Sequence, residues 1–142
     1  MGERTNKRQV IAGLNAALPH QYRCAIGFAL VAATLPGPEG VALSDRLRTF
    51  AADELRDVER IVARVVALGG RPSVAVETLK APTTWKASLT WLADCQRQAM
   101  DTLVEAIPAD ADDAEGEATE HLLEHVIHRK RNALETLERA LR

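Results

Sequence analysis

The chain has 142 residues, a length that suits one domain, and 46% of them are apolar, enough for a real core. Lysine and arginine total 18 against 20 aspartates and glutamates, a net charge of −2 that lacks the basic surplus of a dedicated nucleic-acid binder. No apolar run approaches the roughly 18 residues of a membrane span, and Met1-Gly2-Glu3-Arg4 lacks a signal peptide's apolar core. Cys24 and Cys95 are too few and too far apart for a CxxC metal motif or a disulfide framework. Alanine and leucine dominate and aromatics are only 4%, the composition of a helical protein. The expectation is a single all-α domain over residues 1–142, held in a reducing cytoplasm, with no membrane or nucleic-acid partner.

Breakers divide the chain into four periodic stretches. The first runs from about Thr5 to Leu35 and stops at Pro36-Gly37-Pro38-Glu39-Gly40. Pro19 lies inside it and removes one backbone hydrogen bond, so a kink is expected there. The apolar series Val10, Ile11, Leu14 and Leu18 nevertheless argues for one continuous helix. The second stretch starts at Ser44, a good N-cap followed by Asp45, and ends at Gly69-Gly70-Arg71-Pro72. The third opens near Pro82-Thr83-Thr84 and ends at Pro108. The fourth follows Asp110-Ala111-Asp112-Asp113-Ala114-Glu115 and runs to Arg142.

Short first and third links make helices one and two, and three and four, antiparallel neighbours. The second helix, at roughly 25 residues, is about 37 Å long. The link from Gly69 to Pro82 can extend roughly 46 Å, enough to cross the bundle from end to end. The expected fold is a four-helix bundle of two hairpins joined by a long crossover. An up-down-up-down bundle is the alternative.

Helical wheels place one long polar side chain on each apolar face. Gln21 falls between Leu14, Leu18, Ala25 and Phe28. Glu54 lies at the centre of the stripe of Leu47, Phe50, Val58, Ile61 and Val65, with Asp57 at its edge. Gln96 falls among Trp85, Leu89, Leu92, Met100 and Leu103. Lys130 falls among Leu123, Val126, Ile127, Ala133 and Leu134. An unpaired buried charge or amide is costly, so these groups are expected to meet in one buried polar layer. In that layer Lys130 bridges Glu54 and Asp57, and Gln21 and Gln96 complete the hydrogen bonds. The bland alternative is a set of side chains that snorkel to the bundle ends.

Other residues attract attention singly. His121, Glu124, His125 and His128 share a face at metal-ligand spacing. That face lies opposite the apolar stripe, which makes it a solvated surface or, in the sharper reading, a surface or intersubunit metal site. His20 is expected at an interhelix seam, Cys24 and Cys95 as small buried thiols, and Trp91 at a dimer face. The acidic segment from Asp110 reads as a solvated loop favouring the N-terminus of helix four.

Taken together, the helix pattern resembles the ferritin-like superfamily, and bacterioferritin most closely. The resemblance is carried by Leu14-Asn15-Ala16-Ala17-Leu18, by residues 53–72 from Asp53-Glu54-Leu55-Arg56-Asp57 to Gly69-Gly70-Arg71-Pro72, by Leu103-Val104-Glu105-Ala106-Ile107, and by Leu134-Glu135-Thr136-Leu137. That family holds two irons with a Glu on helix one, Glu-x-x-His on helix two, a Glu on helix three and Glu-x-x-His on helix four. The resemblance implies that those positions here are Gln21, Glu54 and Asp57, Gln96, and Ile127 and Lys130, so that only Glu54 is kept. A family tyrosine is Phe28. The haem-ligating methionine position is Leu55, which argues against haem, and the lack of a short fifth helix argues against a 24-subunit shell.

The functional expectation is a ferritin-like protein with a degenerate, metal-free di-metal centre. It acts as a non-catalytic binding or assembly module and forms a homo-oligomer, a dimer by preference. The alternative is an iron or manganese oxidase or ferroxidase using Glu54, Asp57, Glu124, His125 and His128. A further alternative is an enzyme that uses Lys130 as an amine of depressed pKa.

Overall fold

A computed structural model describes residues 5–108 and 113–142. The polar start at residues 1–4 and the part of the acidic segment at residues 109–112 lie outside the described residues. Four helices follow in order: α1 (Lys7–Thr34), α2 (Gly37–Ala67), α3 (Trp85–Ala106) and α4 (Ala114–Ala140). None of the described helices is long and apolar enough to cross a membrane.

Helix α1 runs unbroken through Pro19. Its N-cap is Asn6, whose side chain accepts from the Gln9 amide at 3.2 Å. Helix α2 begins earlier than its sequence suggests, at Gly37 rather than Ser44. Pro38 sits in its first turn, where a missing N–H is no loss. Only a glycine fits at position 40, because a Cβ there would lie 2.1 Å from the Leu35 carbonyl oxygen. Ser44 therefore does not cap; its hydroxyl donates to the Ala32 carbonyl at 3.0 Å and ties α2 back to α1. The far end of α2 closes as the Gly-Gly pair predicts. Gly69, at φ 88°, donates to Val66 and Gly70 donates to Val65, both at 2.9 Å, a Schellman stop. Helix α4 is capped by Asp113, which accepts from the Gly116 amide at 2.9 Å and is also bound by Thr5. These bonds, the Thr5 hydroxyl first, push the Asp113 carboxyl down to about 2.

The segment between α2 and α3 travels along α1. Asn15 donates to the Arg71 carbonyl at 3.0 Å and accepts from the Ser73 amide at 2.8 Å. Tyr22 donates to the Ser73 carbonyl at 2.8 Å, and the Glu77 amide donates to the Pro19 carbonyl at 3.1 Å. The link reaches α3 where Ser88 donates to the Pro82 carbonyl at 3.0 Å. It is thus the long crossover, and the bundle consists of two antiparallel hairpins joined by it. Helix α1 packs on both α2 and α3, and α3 packs on α4. The half-buried ring of Trp91 packs on α1 at Gly27, where a Cβ would stand 3.0 Å from it.

The core divides into two apolar halves. One gathers Leu14, Leu18, Ile61, Val65, Leu103, Leu123 and Val126. The other gathers Phe28, Val31, Leu47, Leu89, Leu92 and Leu137, with Phe28 and Phe50 edge to face at 5.5 Å. Each fully buried leucine or phenylalanine stabilises the fold by about 1.5–3 kcal/mol.

Candidate functional site

Between the two halves lie four buried polar side chains, one from each helix. Gln21, Gln96 and Lys130 are 0% exposed and Glu54 is 4% exposed. Each is carried inward because it occupies an apolar-face position of a helix whose neighbouring turns are committed to the core.

The four are joined by hydrogen bonds. The Lys130 ammonium donates to Glu54 Oε2 at 2.7 Å and to Gln96 Oε1 at 2.9 Å. Gln21 Nε2 donates to the same Glu54 Oε2 at 2.6 Å and to the Glu54 carbonyl at 3.1 Å. Gln96 Nε2 donates to the Lys130 carbonyl at 3.2 Å, which fixes the amide so that its oxygen faces the ammonium. Among the described residues, Gln21 Oε1 is a buried acceptor that no donor reaches.

Burial pulls the Lys130 ammonium down, the neighbouring Cys24 sulfur and Glu54 carboxylate pull it up, and the balance lies above lysine's ordinary value. Burial pushes the Cys24 thiol up to about 12. The expectation of a low-pKa amine is corrected by these neighbours: the Cys24 sulfur and the Glu54 carboxylate together more than offset desolvation. Cys24 itself is fully buried, and its sulfur lies 3.5 Å from the Cys95 carbonyl. The Cys95 thiol is likewise raised by burial.

Asp57 does not share the ammonium. It is 1% exposed but turns to the rim of the bundle, where Arg129 Nε donates to Oδ2 at 3.1 Å and Arg60 donates to Oδ1 at 2.9 Å. A second nitrogen of Arg129 also binds Oδ1. The reason is rotational: three residues on from Glu54 along a helix, Asp57 is turned about 60° away from the layer's centre, and its side chain is one methylene shorter. Arg129 and Arg60 complete this rim cluster, and helix wheels that follow apolar stripes pass over both. The available signal was a buried-edge aspartate with arginine at i+3 and a second arginine beside Lys130.

The helix-four trio of the alternative metal set is not brought to Glu54 and Asp57. Glu124, His125 and His128 are all exposed, whereas both carboxylates are buried. The inward positions of α4 belong to Leu123, Val126, Lys130 and Ala133, and a single helix cannot turn both faces to one core. Among the described residues no three His, Cys, Asp or Glu side chains converge as metal ligands. His20 sits at the α1 edge, beside Arg23 at 3.4 Å and 4.0 Å from Glu77 of the crossover.

Comparison with known proteins agrees with this architecture. No match is found among curated protein sequences. A ferritin-like diiron-carboxylate protein of Bacillus anthracis superposes with a TM-score of 0.88 at 21% identity, over 99% of this chain and 100% of that one. The bacterioferritin-related dodecameric thioferritin of Bacteroides fragilis gives 0.85 at 16% identity, over 97% of this chain and 87% of that one. The Rhodobacter capsulatus bacterioferritin, described with a metal-free dinuclear site, gives 0.78 at 18% identity, over 98% and 86%. At these identities the likeness speaks for the fold. A family model for the ferritin-like domain matches residues 11–142, nearly the whole chain. The chain belongs to the ferritin family of ferritin-like domains.

Proposed function

We propose that this is a ferritin-like bundle whose centre carries its own cation in place of iron or manganese, and that it works as a non-catalytic binding or assembly module. The observation that carries the reading is the Lys130 ammonium, 2.7 Å from Glu54 and 2.9 Å from Gln96 at the middle of the bundle. As donors, the four residues offer one carboxylate, two amides and an ammonium. That set does not fit a pair of irons: amides are weak donors to hard cations, and the ammonium repels a metal ion from the place it fills. A paired buried charge is seldom a net gain over an apolar core, so its retention is in keeping with an inherited site.

Elemental analysis after loading with iron(II) or manganese(II) tests this reading. The expected result is no stoichiometric iron or manganese. Stoichiometric metal that is lost on Glu54→Ala would overturn it in favour of a di-metal oxidase.

The assembly role rests on the outer face of α1 and α2. There an apolar groove of about 470 Å³ is lined by Ala29 and Ala52 together with Ile26, Leu30 and Leu55. Those three large side chains are 39%, 42% and 54% exposed. The occupant we assign is a second copy of the chain. Arg48, Ala52, Leu55 and Glu59 share one exposed stripe of α2, and a twofold axis near its middle sets Arg48 of each copy opposite Glu59 of the other. A dimer is the unit this arrangement supplies. Two free, buried cysteines suit a reducing cytoplasm. Analytical ultracentrifugation checks the assembly: a dimer or a multiple of dimers is expected, Leu55→Glu should dissociate it, and a monomeric wild-type chain would refute it.

A further inference from the structure

Outside the core, α4 carries a pair of imidazoles that neither the buried layer nor the groove uses. His121 and His125 are both exposed and stand one turn apart. Their rings meet edge to face at 86°, with centroids 4.7 Å apart. The two Nε2 atoms face each other at 3.3 Å. Two nitrogens at that separation, each placed about 2.0–2.1 Å from a shared zinc, subtend an N–Zn–N angle of roughly 104–111°, close to tetrahedral. The two nitrogens thus stand at the separation of a two-toothed ligand, and a metal ion between them would replace the hydrogen bond that now joins the rings, each ring turning its Nε2 lone pair to the ion.

The surroundings favour a dication. Glu117, Glu120 and Glu124 lie on the same stretch of α4 and put acidic side chains on the turns around the imidazoles. Crowded carboxylates of this kind lower the local potential and draw cations to the helix surface.

We propose that His121 and His125 form a zinc-binding site on the outer face of α4, separate from the bundle centre, with water or a donor from another molecule in the remaining coordination positions. The imidazole pair suits a borderline divalent ion, in contrast to the hard-cation chemistry of an iron site.

Isothermal titration of the tag-free chain with zinc chloride tests the site. One zinc per chain is expected. Both His121→Gln and His125→Gln should abolish saturable binding, while His128→Gln should leave it intact. Circular dichroism of each variant checks that α4 is still folded, which an exposed substitution should not disturb. The proposal is overturned if the wild-type chain shows no saturable zinc binding, or if binding persists in both single variants. It is equally overturned if His128→Gln abolishes binding as the other two do. None of these outcomes depends on whether iron or manganese enters the core.

Discussion

Glu54 and Asp57 stand one turn apart on the same helix, and both are buried, yet they answer different partners. Glu54 meets an ammonium that is itself fully enclosed, together with an amide from α1. Asp57 meets two arginines whose side chains remain 35% and 49% exposed. The difference lies in what happens to the partner if the pair is broken. A stranded arginine at the rim swings into water. A stranded carboxylate or ammonium in the centre has no such escape, and the cost of an unpaired buried charge falls on the fold.

Lys130→Met should have the largest effect, because it leaves Glu54 buried and alone. A loss of about 3–5 kcal/mol in denaturant melts is expected. Adding Glu54→Leu should recover much of it, since an apolar replacement of the whole pair is often neutral or stabilising. If Lys130→Met left stability unchanged or raised it, the contrast between centre and rim would collapse.

Alkaline pH probes the same centre without mutation. The folded-state values of both Lys130 and Cys24 lie above their ordinary ones. Groups raised on folding contribute stability that is complete below the unfolded pKa and is lost as pH climbs through the folded one. For Cys24 that window runs from 9.0 to about 12. Melts across it should show falling stability, and Cys24→Ala should flatten part of the slope. An unchanged slope in the variant would remove the thiol from the account.

Asp57→Asn should be the mildest of the three. Its arginines lose a charged acceptor but regain water, so about 1–3 kcal/mol is expected. A cost equal to that of Lys130→Met would mean that the rim is as closed as the centre.

The sequence by itself determined four helices, their breakers and the inward turn of Gln21, Glu54, Gln96 and Lys130. Proline, glycine and the period of apolar residues act locally, and a helix wheel needs no partner to be drawn. It misplaced the start of α2, because Ser44 has the chemistry of a cap while the turn at Gly40 is set by contact with Leu35. It also set both carboxylates against one lysine. Only the tertiary structure decided that Glu54 takes the ammonium and Asp57 the arginines, because that choice depends on how far α2 and α4 are rotated toward each other. The wheel shows Asp57 at the stripe's edge, about 60° round from Glu54, but not which side chains α4 brings to that edge, and those select the hydrogen-bond partner.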